Sequence, residues 1–185
     1  PDDHIWATER YGRVSRINPE TGSTEVLLDL SADVYERSEA GMLGMALHPD
    51  FENTPHVFIA YTYLNGSNIR ERLVKFEYDG TILSPLDTLI EDITGNTTHV
   101  GCRLIFLADN TLLMSTGDAQ QQSLPQDTTS VVGKILRMHM DGSIPSDNPN
   151  PSSLVYSFGH RNAQGLWLTP EVILYRSGHE PNTED

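Results

Sequence analysis

Apolar and polar residues alternate in short runs along the chain. Val14-Ser15-Arg16-Ile17, Val74-Lys75-Phe76-Glu77-Tyr78 and Ile135-Leu136-Arg137-Met138-His139-Met140 repeat with a period of two, the mark of strands with one wetter face. The pattern predicts thirteen strands: Ile5–Thr8, Arg13–Ile17, Thr24–Leu28, Met42–Leu47, His56–Tyr63, Arg72–Tyr78, Leu86–Ile90, Arg103–Leu107, Thr111–Thr116, Lys134–Met140, Leu154–Phe158, Gly165–Leu168 and Val172–Arg176. Strong turn formers link them, among them Asn65-Gly66, Asp79-Gly80, Asp109-Asn110 and Asp141-Gly142. No segment carries a long helical period with caps. Ser31–Glu39 is expected to make one or two helical turns. Gln120–Ser130 and Ser143–Ser153 read as long polar loops rich in proline.

Three of these strands resemble one another. Gly12–Asn18, Arg72–Tyr78 and Gly133–His139 each carry a basic residue in an apolar alternation, follow a hydrophobic strand and precede a turn. Arg16, Lys75 and Arg137 lie 59 and 62 residues apart. A multi-strand unit repeated at such a period implies a propeller or a solenoid. Propellers close with about four to eight blades of four strands. Residues 1–185 are therefore expected to form a partial β-propeller domain of about three blades, with the ring closed by residues outside this chain. Chance similarity within a generic β-sandwich is the competing reading.

Composition narrows the function. The chain of 185 residues has a formal net charge of −14 and one cysteine. Such acidity leaves no electrostatic footprint for nucleic acid and opposes an anionic membrane surface. The apolar runs are far shorter than the ~20 residues that span a bilayer, so no membrane insertion is expected. One cysteine excludes an internal disulfide framework and a four-thiolate zinc site. The chain opens at Pro1 and closes on Glu180-Pro181-Asn182-Thr183-Glu184-Asp185. It is expected to be a piece of a longer protein, with no signal peptide in view.

Two segments stand out chemically. Thr97-Thr98-His99-Val100-Gly101-Cys102-Arg103 and Thr116-Gly117-Asp118 flank a predicted hairpin about Asp109-Asn110. Such a hairpin brings His99 and Asp118 to one sheet edge. A carboxylate beside an imidazole orients it and raises its basicity, which suits a general base. On the residues alone, a loop histidine is more often simply solvated. The second segment, Gly159-His160-Arg161-Asn162-Ala163-Gln164-Gly165, sets a cation and two amides between glycines. It could bind a polyoxygenated or anionic ligand, or it could be a polar turn bonded to itself. His48-Pro49-Asp50-Phe51 reads as a structural turn, Cys102 as a small buried hydrophobe, and Trp6 and Trp167 as core. The acidic stretch Gly178–Asp185 offers the hard oxygen ligands calcium takes, but it lacks the spacing of an EF-hand loop, and acidic loops are usually simply solvated.

In order along the chain, these segments resemble the soluble glucose/sorbosone dehydrogenase family. The resemblance runs through Trp6-Ala7-Thr8-Glu9-Arg10, Gly41-Met42-Leu43-Gly44 with His48-Pro49-Asp50-Phe51, His99 with Arg103-Leu104, and Thr116-Gly117-Asp118. It continues through Gly133-Lys134-Ile135-Leu136-Arg137, Asp141-Gly142-Ser143-Ile144-Pro145 and Gly159–Leu166. It implies an all-β, six-bladed β-propeller quinoprotein, of which this chain covers roughly the first three blades. It also implies pyrroloquinoline quinone and calcium as cofactors, a small-molecule sugar substrate, an external electron acceptor and a periplasmic or secreted location.

By the same resemblance, His99 matches the family's general base for the sugar C1 hydroxyl, and Asp118 the carboxylate that supports it. Arg161 and Asn162 match cofactor- and substrate-side residues. The backbone carbonyls of Glu180 and Pro181 match the calcium loop. Two positions depart from the family: Glu39 stands where a cofactor-side glutamine is usual, and Glu180 where glycine precedes the proline. The family's further basic cofactor-binding residues lie in later blades. The resemblance thus implies an aldose dehydrogenase, inactive as this piece alone, with a non-catalytic protein- or carbohydrate-binding propeller of the same superfamily as the alternative.

Overall fold

The computed structural model describes residues 3–169 and 173–179. These form thirteen strands: β1 (Ile5–Glu9), β2 (Arg13–Ile17), β3 (Thr24–Asp29), β4 (Met42–Leu47), β5 (His56–Asn65), β6 (Asn68–Tyr78), β7 (Leu83–Thr94), β8 (Leu104–Phe106), β9 (Leu112–Ser115), β10 (Lys134–Met138), β11 (Val155–Phe158), β12 (Asn162–Leu168) and β13 (Leu174–His179). Among the described residues the one helical element is a 3-10 turn at Leu124–Gln126. Each strand pairs with its neighbour in sequence. The sheets run β1-β2-β3, β4-β5-β6-β7, β8-β9-β10-β11 and β12-β13.

The sequence repeat marks equivalent strands. Arg16, Lys75 and Arg137 lie on β2, β6 and β10. In the two four-stranded sheets β6 and β10 are third in order, so β1-β2-β3 correspond to the second, third and fourth strands. Each basic residue meets a carboxylate: Arg16 with Glu25 at 2.6 Å, Lys75 with Asp87 at 3.8 Å and Arg137 with Asp109 at 2.6 Å. The repeated cation therefore ties its own sheet to a flanking strand or loop.

Two compact units divide the chain, residues 1–92 and 93–185. In the first, β1–β3 pack on one face of β4–β6 through Val14, Leu27, Leu28, Val57, Ile59, Val74 and Phe76. Trp6 packs edge-on to Tyr78 at 5.0 Å and to Phe51 at 5.6 Å, so the His48–Phe51 turn serves the core. In the second, Leu112, Leu113, Met114, Leu136 and Met138 are wholly buried.

Three expectations are corrected. Ser31–Glu39 is turns and isolated bridges, because Tyr35 N–H donates to Thr62 and Val34 bridges Tyr63, so β5 takes bonds a helix would need. Strand β6 begins at Asn68, since the tight Asn65–Asn68 turn lets a polar run pair fully with β5. Trp167 is 61% exposed, against Tyr175 at 5.9 Å; strand alternation puts it on the opposite face from buried Leu166.

Candidate active site

The β8–β9 hairpin turns at Asp109-Asn110 and brings the loops at its open end together. His99 precedes β8 and Asp118 follows β9. His99 Nδ1 lies 2.7 Å from Asp118 Oδ1. The Asp118 side chain is 3% exposed and that of His99 16%. A buried carboxylate on Nδ1 fixes the orientation of the ring.

The backbone builds this pair from both sides. Ala119 N–H donates to His99 O at 3.0 Å, and Gln120 N–H donates to Asp118 Oδ1 at 2.8 Å. The two segments nearly touch at Gly117: a Cβ there would stand 1.9 Å from His99 O. His99 itself has φ of 56°, a left-handed conformation uncommon for a non-glycine residue. The loop contacts on both sides hold it there. The rim is polar, with the Gln120 amide donating to the Thr98 hydroxyl and Asn96 donating to Ala119 O at 3.0 Å.

The second segment reaches the same place. Asp118 N–H donates to Arg161 O at 2.7 Å, and Gly117 bridges Asn162. Arg161 is half-buried, and among the described residues its guanidinium makes no hydrogen bond or ion pair. Asn162 is wholly buried, its Oδ1 accepting from Gly101 N–H at 3.0 Å. It braces the loop that carries His99. His160 is also buried, with Nε2 2.9 Å from Ser157 Oγ.

His99, Asp118, Arg161 and Asn162 thus share one neighbourhood in the second unit. Glu39 lies in the first unit, half-buried in a turn closed by the Arg37–Ala40 bridge. Glu180 and Pro181 lie outside the described residues. Cys102 is buried as expected. Gly117 and Lys134 are site residues to which their sequence motifs assign no role of their own. A signal for Lys134 exists: strand alternation puts it on the face of Leu136 and Met138, an odd place for an ammonium group.

A sequence model of the Glucose / Sorbosone dehydrogenase family matches residues 1–185. The chain belongs to that family. It is 33% identical to quinoprotein glucose dehydrogenase B of Acinetobacter calcoaceticus, over all of this chain and 45% of that protein. It is 27% identical to an aldose sugar dehydrogenase of Escherichia coli, over all of this chain and 53% of that protein. The structure of the PQQ-bound form of the Streptomyces coelicolor aldose sugar dehydrogenase superposes with a TM-score of 0.87. It is 34% identical over 97% of this chain and 54% of that one. The chain spans about half the length of these relatives. Its successive antiparallel sheets are blades of a partial β-propeller, as the repeat predicts.

Proposed function

We propose that the full-length protein is a quinoprotein aldose dehydrogenase and that this chain carries its general base. The relation that supports this best is His99 Nδ1 on buried Asp118 at 2.7 Å, in a family whose relatives include sugar-oxidising quinoproteins. The donor set suits an anionic quinone: an oriented imidazole, and on the adjoining 159–161 loop a cation that no described residue neutralises. Pyrroloquinoline quinone, when bound, supplies the hydride acceptor for the sugar C1 hydrogen.

The chain's own residues do the rest. His99 Nε2 takes the C1 hydroxyl proton. Asp118 keeps the ring in the tautomer that accepts at Nε2 and stabilises the imidazolium that results. Arg161 sets positive charge where the quinone's oxygens gain charge. Asn162 acts from beneath, holding Gly101 and so the loop that carries His99. Calcium would be held by backbone carbonyls of Glu180 and Pro181. Among the described residues no cluster of His, Cys, Asp and Glu is built for a metal. The protein works with an external electron acceptor in the periplasm or outside the cell. No helix of the described residues is long and apolar enough to cross a membrane.

Full-length protein reconstituted with pyrroloquinoline quinone and calcium should reduce an artificial acceptor when an aldose is added. Reduction that does not depend on aldose would refute the reading.

A further inference from the structure

Lys134 opens β10 with its side chain wholly buried. An ammonium group has three N–H donors, and each finds a backbone carbonyl: Val132 O at 2.7 Å, Leu124 O at 2.8 Å and Pro125 O at 3.0 Å. Burial pushes this lysine down from its ordinary value, and the charge of Asp127 opposes that shift. The three carbonyls favour the charged form, because each accepts from it.

These bonds reach the candidate active site. Pro125 O accepts a second hydrogen bond from Gly159 N–H at 2.8 Å, at the entry to His160-Arg161-Asn162. Gly133, next to Lys134, donates to Gly117 O at 2.8 Å and accepts from His160 N–H at 3.1 Å. Asp118 N–H then donates to Arg161 O at 2.7 Å. Three segments of chain, 117–118, 133 and 159–161, are thereby laced together. Packing is tight, since a Cβ on Gly133 would stand 2.6 Å from His160 O and 2.7 Å from Pro125 Cγ.

Resting on the function proposed above, we infer that Lys134 is a positioning residue of the sugar-oxidising site. Its ammonium clamps the 124–132 loop against the 159–161 loop and so sets Arg161 relative to Asp118. It touches neither dyad residue, and its effect passes through backbone alone. Removing it takes a donor from all three carbonyls; Pro125 O keeps Gly159 N–H and Leu124 O keeps Asp127 N–H, while Val132 O must find water, and the 124–132 loop loosens. A displacement of about 1 Å at a catalytic group costs on the order of 100-fold in rate.

The test is K134M in the full-length protein, which removes the charge and keeps the apolar stem. Two readouts are needed: amide hydrogen exchange without cofactor, and steady-state kinetics of the reconstituted enzyme. The expected result is exchange about tenfold faster at Gly159 and His160, with kcat down 10- to 100-fold and the sugar KM nearly unchanged. Unchanged exchange overturns the clamp. Faster exchange with unaltered kcat overturns the positioning role. If the wild-type protein oxidises no aldose yet exchange rises in K134M, the clamp stands and the sugar reading fails. Should K134M not fold, nitrogen-15 spectra of the wild-type lysine decide. A charged, slowly exchanging Nζ at neutral pH is expected, and a neutral or freely exchanging amine overturns the inference.

Discussion

Asp118 Oδ1 holds two partners at once, His99 Nδ1 at 2.7 Å and the amide N–H of Gln120 at 2.8 Å. The carboxylate is thus fixed by its own loop before it fixes the imidazole. Asp118→Asn keeps the shape but removes the negative charge that stabilises an imidazolium. Aldose oxidation by the D118N holoenzyme should fall by about 10²- to 10⁴-fold, the span of a general base's contribution. The thermal midpoint should move little. Steady-state kinetics beside a melting curve separates the two effects.

Gly117 permits the approach of the loops. G117A drives a methyl group to within 1.9 Å of His99 O, a clash with backbone that no side-chain motion relieves. Gly22 is a control, since nothing lies within 4 Å of a Cβ there and only its φ of +71° resists substitution. G22A should cost about 1–2 kcal/mol. G117A should cost clearly more and lose cofactor binding with it. Denaturant midpoints and calorimetric titration give both numbers.

How far the fold and site are legible in sequence depends on how local the cause is. Short apolar runs bounded by turn formers locate all thirteen strands, although β5, β9 and β10 are buried on both faces rather than one. The β6 start at Asn68 is hidden, because the side chains of Asn68-Ile69-Arg70-Glu71 carry little apolar signal. Ser31–Glu39 misleads because its backbone partners lie on β5, distant in sequence. His99 and Asp118 are legible as a pair, since one hairpin joins them. Lys134 is legible only as a cation on an apolar face, since its carbonyl partners in the 124–132 loop leave no sequence pattern, and Gly117 is not, because what it approaches is the His99 backbone.

The repeated cations should differ in weight. Arg137 is 5% exposed and bonds Asp109, Asp147, Thr111 and Asn148. Lys75 faces a half-exposed Asp87 at 3.8 Å. K75M should cost no more than about 1 kcal/mol, as surface pairs do. R137M should cost about 2–3 kcal/mol, discounted from a fully buried pair because its carboxylates meet water. Chemical denaturation of the two variants tests the order.

Acid should loosen the same cluster. Burial pushes the Asp109 carboxyl up, but the Thr111 hydroxyl and amide and then Arg137 outweigh it and bring it down to about 2. A carboxylate lowered by folding stabilises above its unfolded value near 4, and that contribution is lost as pH falls from about 4 to 2. The thermal midpoint of the wild-type protein should drop across that window. D109N should show a shallower drop, and an equal drop would remove Asp109 from the account.

Glu39 stands where the family usually has glutamine, on the side expected to meet the quinone. If Glu39 meets the quinone, as its match to that glutamine implies, E39Q removes one negative charge beside an anionic ligand. Cofactor affinity should rise severalfold, up to about tenfold, a gain of about 1.4 kcal/mol at most. Calorimetric titration of the full-length protein measures it, and unchanged affinity would place Glu39 away from the cofactor.

The central claim is that His99 takes the sugar's proton. The direct measurement is kcat for aldose oxidation by the full-length holoenzyme and its H99A variant, each loaded with pyrroloquinoline quinone to the same occupancy. The account predicts a fall of about 10²- to 10⁴-fold with occupancy retained. Turnover in H99A within a few-fold of wild type would contradict it.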